Sequence, residues 1–331
     1  MLFTLWGDYV VHCGDEIWVG SLIRIAAEFG LSEFALRSVL SRMSRGGWLE
    51  ATRHGNRSYY RLSKHGRALI QEGSARIFRP RRDPWDGAWH LVTYSIPEAQ
   101  RELRDHFRKR LSYLGFGLLA AGAWISPHDL RAEVAELADD LGVGDFVDQF
   151  RGAYLQRGEC ARALAARVWP LERLAEAYHA FAQRWGQVAD EVADGVPNAQ
   201  AFVLRFWLVH EYQRFFMEDP DLPRELLPAS WPGRDVAHLF ETLHDRLAPG
   251  ANRFFEAVFE ARHANGRERP LREREQARGR HLTASTGTVS PGRRLTRGLR
   301  RTSPSAELVR PSEDEEESRR LPRPAGRRQR Q

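Results

Sequence analysis

The 331-residue sequence predicts an α+β multidomain chain, and three observations carry that reading. The first is the period of the apolar residues. Residues 1–75 mix helical periods with one pair of β-rich runs, 85–160 alternate β and helical runs, and 161–262 are helical throughout. The second is charge. Residues 1–82 carry 13 basic and 7 acidic side chains, 83–262 carry 19 and 28, and 263–331 carry 18 and 9. The overall +6 is therefore a basic head, an acidic body and a basic tail. The third is the loss of any sustained apolar period from His263 onward, where Arg, Pro, Ser and Gly dominate around an acidic block at Glu313–Glu317. That composition predicts a disordered tail over 263–331.

Residues 1–75 read as helix, short strand, helix, helix, hairpin, helix. The first helix is predicted over Leu2–Cys13, with Leu2, Leu5, Trp6, Tyr9 and Val10 on one face and Gly14-Asp15 as its stop. Ile17-Trp18-Val19 is a short apolar strand, and Ser21 is placed to cap a second helix that Gly30 closes. Ser32 starts a third helix to about Arg45, with Leu36, Val39, Leu40 and Met43 inward and Glu33, Arg37, Ser38, Ser41 and Arg45 outward. After Gly46-Gly47, the runs Trp48–Arg53 and Ser58–Leu62 flank a turn at His54-Gly55-Asn56-Arg57, a hairpin signal. Ser63 then caps a last helix through about Ile70.

Two helices joined by a short turn and followed by a basic hairpin form a winged helix-turn-helix. From Ser32 to Arg82 there are 12 basic and 3 acidic residues, the footprint of a double-stranded DNA partner. Arg37, Ser38, Ser41 and Arg42 are the candidates for base or near-base contacts from the third helix. Arg53, Asn56 and Arg57 are candidates for phosphate or minor-groove contacts from the hairpin, and Ser32, Arg45 and Ser58 complete the set. A protein-binding winged helix is the competing reading. Residues 76–84 form a linker whose arginines either reach a phosphate backbone or keep the segment soluble.

Over 85–160 the predicted order is a strand at Trp89–Ile96, a helix at Glu98–Leu114, one or two strands within Phe116–Ser126, a helix at His128–Leu141 and a strand near Phe146–Leu155. The order βαββαβ is ferredoxin-like. Residues 161–262 form an all-α C-terminal part, with helices at Ala161–Arg167, Leu171–Ala189, Gln200–Glu218, Arg234–Leu247 and Asn252–Arg262. His210, Tyr212 and Arg214 place charged and aromatic groups on an otherwise apolar helix. They are candidates for the polar anchor of an effector pocket, with a hydrogen-bonded core network or a domain interface as the alternative.

Enzyme signatures fail one by one. Gly115-Phe116-Gly117-Leu118-Leu119-Ala120 lacks the last glycine of a dinucleotide fingerprint, and Arg214 stands where a zinc-protease helix needs its second histidine. There is no Gly-x-Ser-x-Gly elbow. No catalytic residue, metal site or cofactor is assigned. A metal-dependent nuclease acting through the ferredoxin-like part is the alternative function, weakened by the lack of a carboxylate set to join Asp86. Cys13 and Cys160 have no metal-ligand spacing and are expected to be small buried hydrophobes in a reducing compartment. No run approaches the ~20 apolar residues of a membrane span, and Met1–Asp8 lacks a basic n-region, so a cytoplasmic protein is expected.

Several runs in order resemble the PaaX family of bacterial transcriptional regulators. They are Gly7-Asp8-Tyr9-Val10, Trp18–Ile23, Leu40-Ser41-Arg42-Met43, Gly47-Trp48-Leu49, Arg57–Leu62, Trp85-Asp86-Gly87, Leu114–Gly117, Trp124–Pro127, Trp169-Pro170-Leu171, Leu208–Tyr212, Asp219–Pro223 and Leu226–Gly233. The resemblance covers about residues 1–260 and leaves out the tail. It implies a winged-helix DNA-binding domain, a central domain similar to small CRISPR-associated ribonucleases and a helical C-terminal domain. It also implies a homodimeric repressor of an aromatic-acid, phenylacetate-type pathway, released from its operator by an acyl-CoA effector such as phenylacetyl-CoA. The first central strand, Trp89–Ile96, lacks the Asp that the nucleases carry at its end, so the resemblance brings no nuclease activity with it.

Overall fold

The computed structural model describes residues 1–77, 84–155 and 160–259, without the side chains of 71–77, 216 and 217. The predicted tail, and the linker apart from residues 76, 77 and 84, lie outside the described residues.

The head runs α1 (Leu2–Asp8), a 3-10 turn (Val10–Cys13), β1 (Glu16–Trp18), α2 (Val19–Glu28), α3 (Glu33–Arg45), β2 (Leu49–His54), β3 (Arg57–Leu62) and α4 (Lys64–Ile77). β3 is the middle of a three-stranded antiparallel sheet, with β1 on one side and β2 on the other. The single helix expected over Leu2–Cys13 breaks at Tyr9. That residue leaves helical geometry (φ −126°, ψ −60°) as its ring enters a cluster with Phe202 and Phe255. Gly14-Asp15 is the stop that the sequence predicts, with Gly14 left-handed at φ 99°, and Gly30 takes the expected left-handed conformation at φ 72°. Ser21 is not a cap. α2 begins earlier, after Trp18, and the Trp18 ring lies over Gly20, where a Cβ would sit 2.4 Å from it. Ser21 is instead fully buried in the first turn. Ser63 does cap α4, its Oγ accepting the Gly66 N–H at 3.0 Å, and α4 runs on to Ile77, past the predicted Ile70.

The central part is β4 (Trp89–Tyr94), a 3-10 turn (Glu98–Gln100), α5 (Arg101–Tyr113), β5 (Gly117–Ala120), β6 (Ala123–Ser126), α6 (Arg131–Asp140) and β7 (Val147–Gly152). This is the βαββαβ order expected, in one antiparallel sheet ordered β5-β6-β4-β7. Val92 and Trp124 pack with Phe107 and Leu111 of α5 and Val134 of α6. Trp89 and Ile125, on the other face, pack with Leu164, Ala165 and Trp169. Gly117 permits that approach, since a Cβ there would lie 2.1 Å from Val168.

Helices α7 (Ala161–Val168), α8 (Leu171–Glu191), α9 (Asn198–Glu218) and α10 (Gly233–Val258) complete the described chain. α10 is one continuous helix, not the two expected on either side of Pro249-Gly250. A proline removes one backbone donor. Here Gly250, Ala251 and Asn252 are buried, and Gly250 lies so close to α9 that a Cβ would be 2.8 Å from that of Ala201. Packing against α9 holds the helix through the proline. The Asp219–Pro223 run is a junction. Asp219 Oδ2 accepts from the Tyr178 hydroxyl at 2.6 Å, its Oδ1 caps the Asp221 N–H, and the Asp221 carbonyl accepts from His128 Nε2 at 2.7 Å. Cys13 is buried as expected, whereas Cys160 is exposed, because it occupies the N-cap position of the short α7.

One packing relation was not expected. The head and the C-terminal helices share a single hydrophobic core, in which Leu5, Trp6, Tyr9, Leu22, Leu36, Leu40 and Leu62 join Phe202, Phe206 and Phe255. Phe29 of the head sits 4.7 Å, centroid to centroid, from Phe206.

Candidate nucleic-acid interface

α3 is held by one edge and free along the other. Ser32 Oγ accepts the Ala35 N–H at 3.2 Å and caps the helix, with Glu33 in the first turn where the helix dipole favours an acid. Leu36 and Leu40 are buried, while Ser32, Arg37, Ser38, Ser41, Arg42 and Arg45 are all exposed. The Arg37 Nε donates to Glu33 Oε1 at 2.7 Å, an exposed pair one helical turn apart. Such a pair contributes only about 0.3–0.5 kcal/mol, so Arg37 is readily recruited to another anion.

The β2–β3 hairpin turns on Gly55 and Asn56, with Gly55 at φ 57°. Arg53, Asn56 and Arg57 are exposed at this tip, and Ser58 is half-buried beside them. Arg53 Nε donates to the Gly55 carbonyl at 3.2 Å. Arg57 lies over the Trp18 ring, its Cζ 4.5 Å from the centroid, and Arg24 of α2 also approaches that ring at 5.8 Å. Trp18 is thus a platform for two cations, a role its place in a short apolar strand did not reveal. The side chain that sequence reasoning missed on α3 is Phe34. It is 84% exposed and belongs to neither the inward nor the outward set read from the sequence.

The three candidate effector residues meet different surroundings. His210 Nδ1–H donates to Thr4 Oγ1 of α1 at 3.0 Å, and Thr4 donates in turn to Gln213 Oε1 at 3.2 Å. Tyr212 stacks on Phe240 of α10 at 3.9 Å, and burial pushes its hydroxyl up to about 12. Arg214 is exposed. The cavity beside Trp89, Phe150 and Tyr154 and the one beside Tyr94 and Arg104 both lie on the central sheet, away from these residues.

Beside His210 on α9, the structure brings out a residue the sequence did not single out. Arg205 is 1% exposed. Its Nη1 donates to the Tyr9 hydroxyl at 3.1 Å and to Asn252 Oδ1 at 3.0 Å, its Nη2 donates to His244 Nε2 at 2.8 Å, and Asp8 lies 3.9 Å away. One guanidinium therefore joins α1, α9 and α10. An isolated Arg in an apolar helix carries no periodic signature by which it could have been found.

Asp86 is occupied structurally. It accepts the Ala88 N–H at 3.0 Å and pairs with Arg151, and these contacts, the backbone one first, lower its carboxyl below the ordinary value. Among the described residues, no three His, Cys, Asp or Glu side chains are grouped to hold a metal ion.

Three family models match the chain in sequence order: PaaX-like protein over residues 1–66, the PaaX protein central Cas2-like domain over 82–164, and the PaaX-like protein C-terminal domain over 169–257. Among curated proteins, the chain is 35% identical over 260 residues to the transcriptional repressor PaaX of Escherichia coli (strain K12), covering 77% of this chain and 81% of that one. Among solved structures, it is similar to the uncharacterized protein Rv0674 from Mycobacterium tuberculosis, with a TM-score of 0.51 and 26% identity, covering 78% of this chain and 96% of that one.

Proposed function

The chain belongs to the PaaX family, and on that premise we propose that it is a DNA-binding transcriptional repressor of an aromatic-acid, phenylacetate-type catabolic pathway. The observation that carries this reading is the exposed face of α3, where arginines and serines alternate beside a basic hairpin tip. In this reading α2 and α3 are the helix-turn-helix, the β2–β3 hairpin is the wing, and α3 enters the major groove. Arg37, Ser38, Ser41 and Arg42 meet base edges. Arg53, Asn56 and Arg57 meet phosphates, with Ser32, Arg45 and Ser58 at the margins. The Trp18 platform supports this role for Arg57, because a guanidinium held over a ring is partly ordered before it meets DNA.

The repressor acts as a cytoplasmic homodimer, and no described helix is long and apolar enough to cross a membrane. An acyl-CoA thioester, phenylacetyl-CoA or a relative, is the effector. It favours a dimer geometry in which the two α3 helices no longer match successive grooves. Arg214, exposed on α9, is suited to a CoA phosphate, and His210 and Tyr212 on the same helix couple it to α1 and α10. The repressor relative weighs against a nuclease.

Sequencing the DNA that copurifies with the protein, then measuring binding to the recovered duplex, tests the reading. Arg37→Ala is expected to relax specificity at one base pair, at a cost of about 1–3 kcal/mol. Arg57→Ala is expected to weaken all duplexes alike and reduce the salt slope by about one. Wild-type binding by both variants would refute the site. Failure of saturating phenylacetyl-CoA to release the duplex would refute that effector.

A further inference from the structure

Phe34 lies outside the hydrophobic core of the described residues. It lies in the first turn of α3, 84% exposed, and its neighbour Leu31 is 37% exposed. At helical spacing Phe34 shares a face with Arg37, Ser38 and Ser41, the residues assigned to base edges. We infer that Phe34 is itself a base-reading residue, whose ring packs against the C5-methyl of a thymine in the major groove.

Three considerations support this, and all rest on the DNA-reading function proposed above. The first residues of a recognition helix are those that reach base edges. In the major groove, thymine alone presents a methyl group, and apolar side chains, Phe among them, are its usual partners. The surroundings of the ring also select the occupant. α3 carries exposed Arg37, Arg42 and Arg45 against one acid, Glu33, and the hairpin adds exposed Arg53 and Arg57, so the exposed ring belongs to a basic element. Protein interfaces deplete their centres of charge, whereas a DNA groove sets apolar methyls between two rows of phosphates.

The test uses the full chain to select duplexes from a random pool. The enriched duplex is remade with deoxyuridine replacing one thymine at a time, which deletes only the methyl. At one position in each half-site, wild-type affinity is expected to fall about fourfold, the usual worth of one buried methyl. Phe34→Ala is expected to bind the thymine duplex about tenfold more weakly and to lose the distinction between thymine and deoxyuridine at that position. Its salt slope stays that of wild type, since no phosphate contact is removed. Indifference of the wild type to every deoxyuridine, or a Phe34→Ala variant that keeps the discrimination, overturns the inference while leaving DNA binding intact. A ring that wedges between base steps would show the first of these results. Failure to enrich any duplex defeats the DNA-reading function, and this inference with it.

Discussion

Arg205 is where a single side chain bears most on the molecule. Removing it by Arg205→Ala leaves Asp8 near a buried face without its cation and strips Tyr9, Asn252 and His244 of a shared donor. Loss of one member of a buried charged set costs about 3–5 kcal/mol, and urea unfolding should show a loss of that size. Arg205→Lys should recover little of it, because one ammonium cannot span partners on three elements. His90 offers a second residue-scale test. It is fully buried, its Nδ1 accepts the Leu130 N–H at 3.2 Å, and its Nε2–H donates to Gln149 Oε1 at 3.0 Å. Burial lowers its pKa from 6.5 in the folded chain. The unfolded chain therefore binds the proton first. The contribution of neutral His90 is complete above about pH 6.5 and shrinks as the pH falls toward the lowered folded value. His90→Gln should flatten the pH dependence of unfolding in that window, measured in denaturant at fixed salt.

Elements that rest on local rules were legible in the sequence, and those that rest on distant contacts were not. α3 could be read almost to the residue, because its cap, its apolar period and its glycine stop all lie within the helix or directly beside it. The β2–β3 hairpin was equally plain from its Gly-Asn turn. Pro249-Gly250 looked like a break because both residues disfavour helix. What keeps α10 continuous is the approach of α9, nearly fifty residues earlier in the chain. The same division holds for the site. The outward arginines and serines of α3 follow from periodicity, whereas exposed Phe34 contradicts the rule that sorts apolar side chains inward. The α9–α10 contact gives a test at this scale. On an exposed helix, Gly→Ala stabilises by about 1 kcal/mol. Gly250→Ala should do the opposite, lowering Tm with a net loss of about 1 kcal/mol, because its Cβ would meet that of Ala201 at 2.8 Å. A rise in Tm would show that the two helices separate easily.

At the scale of the whole molecule, the shared core governs behaviour. Tyr9, Leu22 and Leu40 of the head and Phe202, Phe206 and Phe255 of the helices lie in one cluster, and Arg205 and His210 add polar ties to α1. Residues 1–77 expressed alone would expose the surface that α9 and α10 cover. Such a fragment should melt broadly and bind dye as loosely packed chains do, whereas in the full chain the head and the helices should unfold in one transition. A sharp, native-like melt of the fragment would show that the shared core is dispensable. The shared core also limits what engineering can exchange. A head grafted from a relative onto this body inherits a mismatched seam at Phe202, Phe206 and Phe255, so the cassette that can be transplanted is the head together with α9 and α10. The outer face of α3 makes no part of that seam, so under the proposed DNA-reading role a new operator preference can be written there by replacing surface side chains alone.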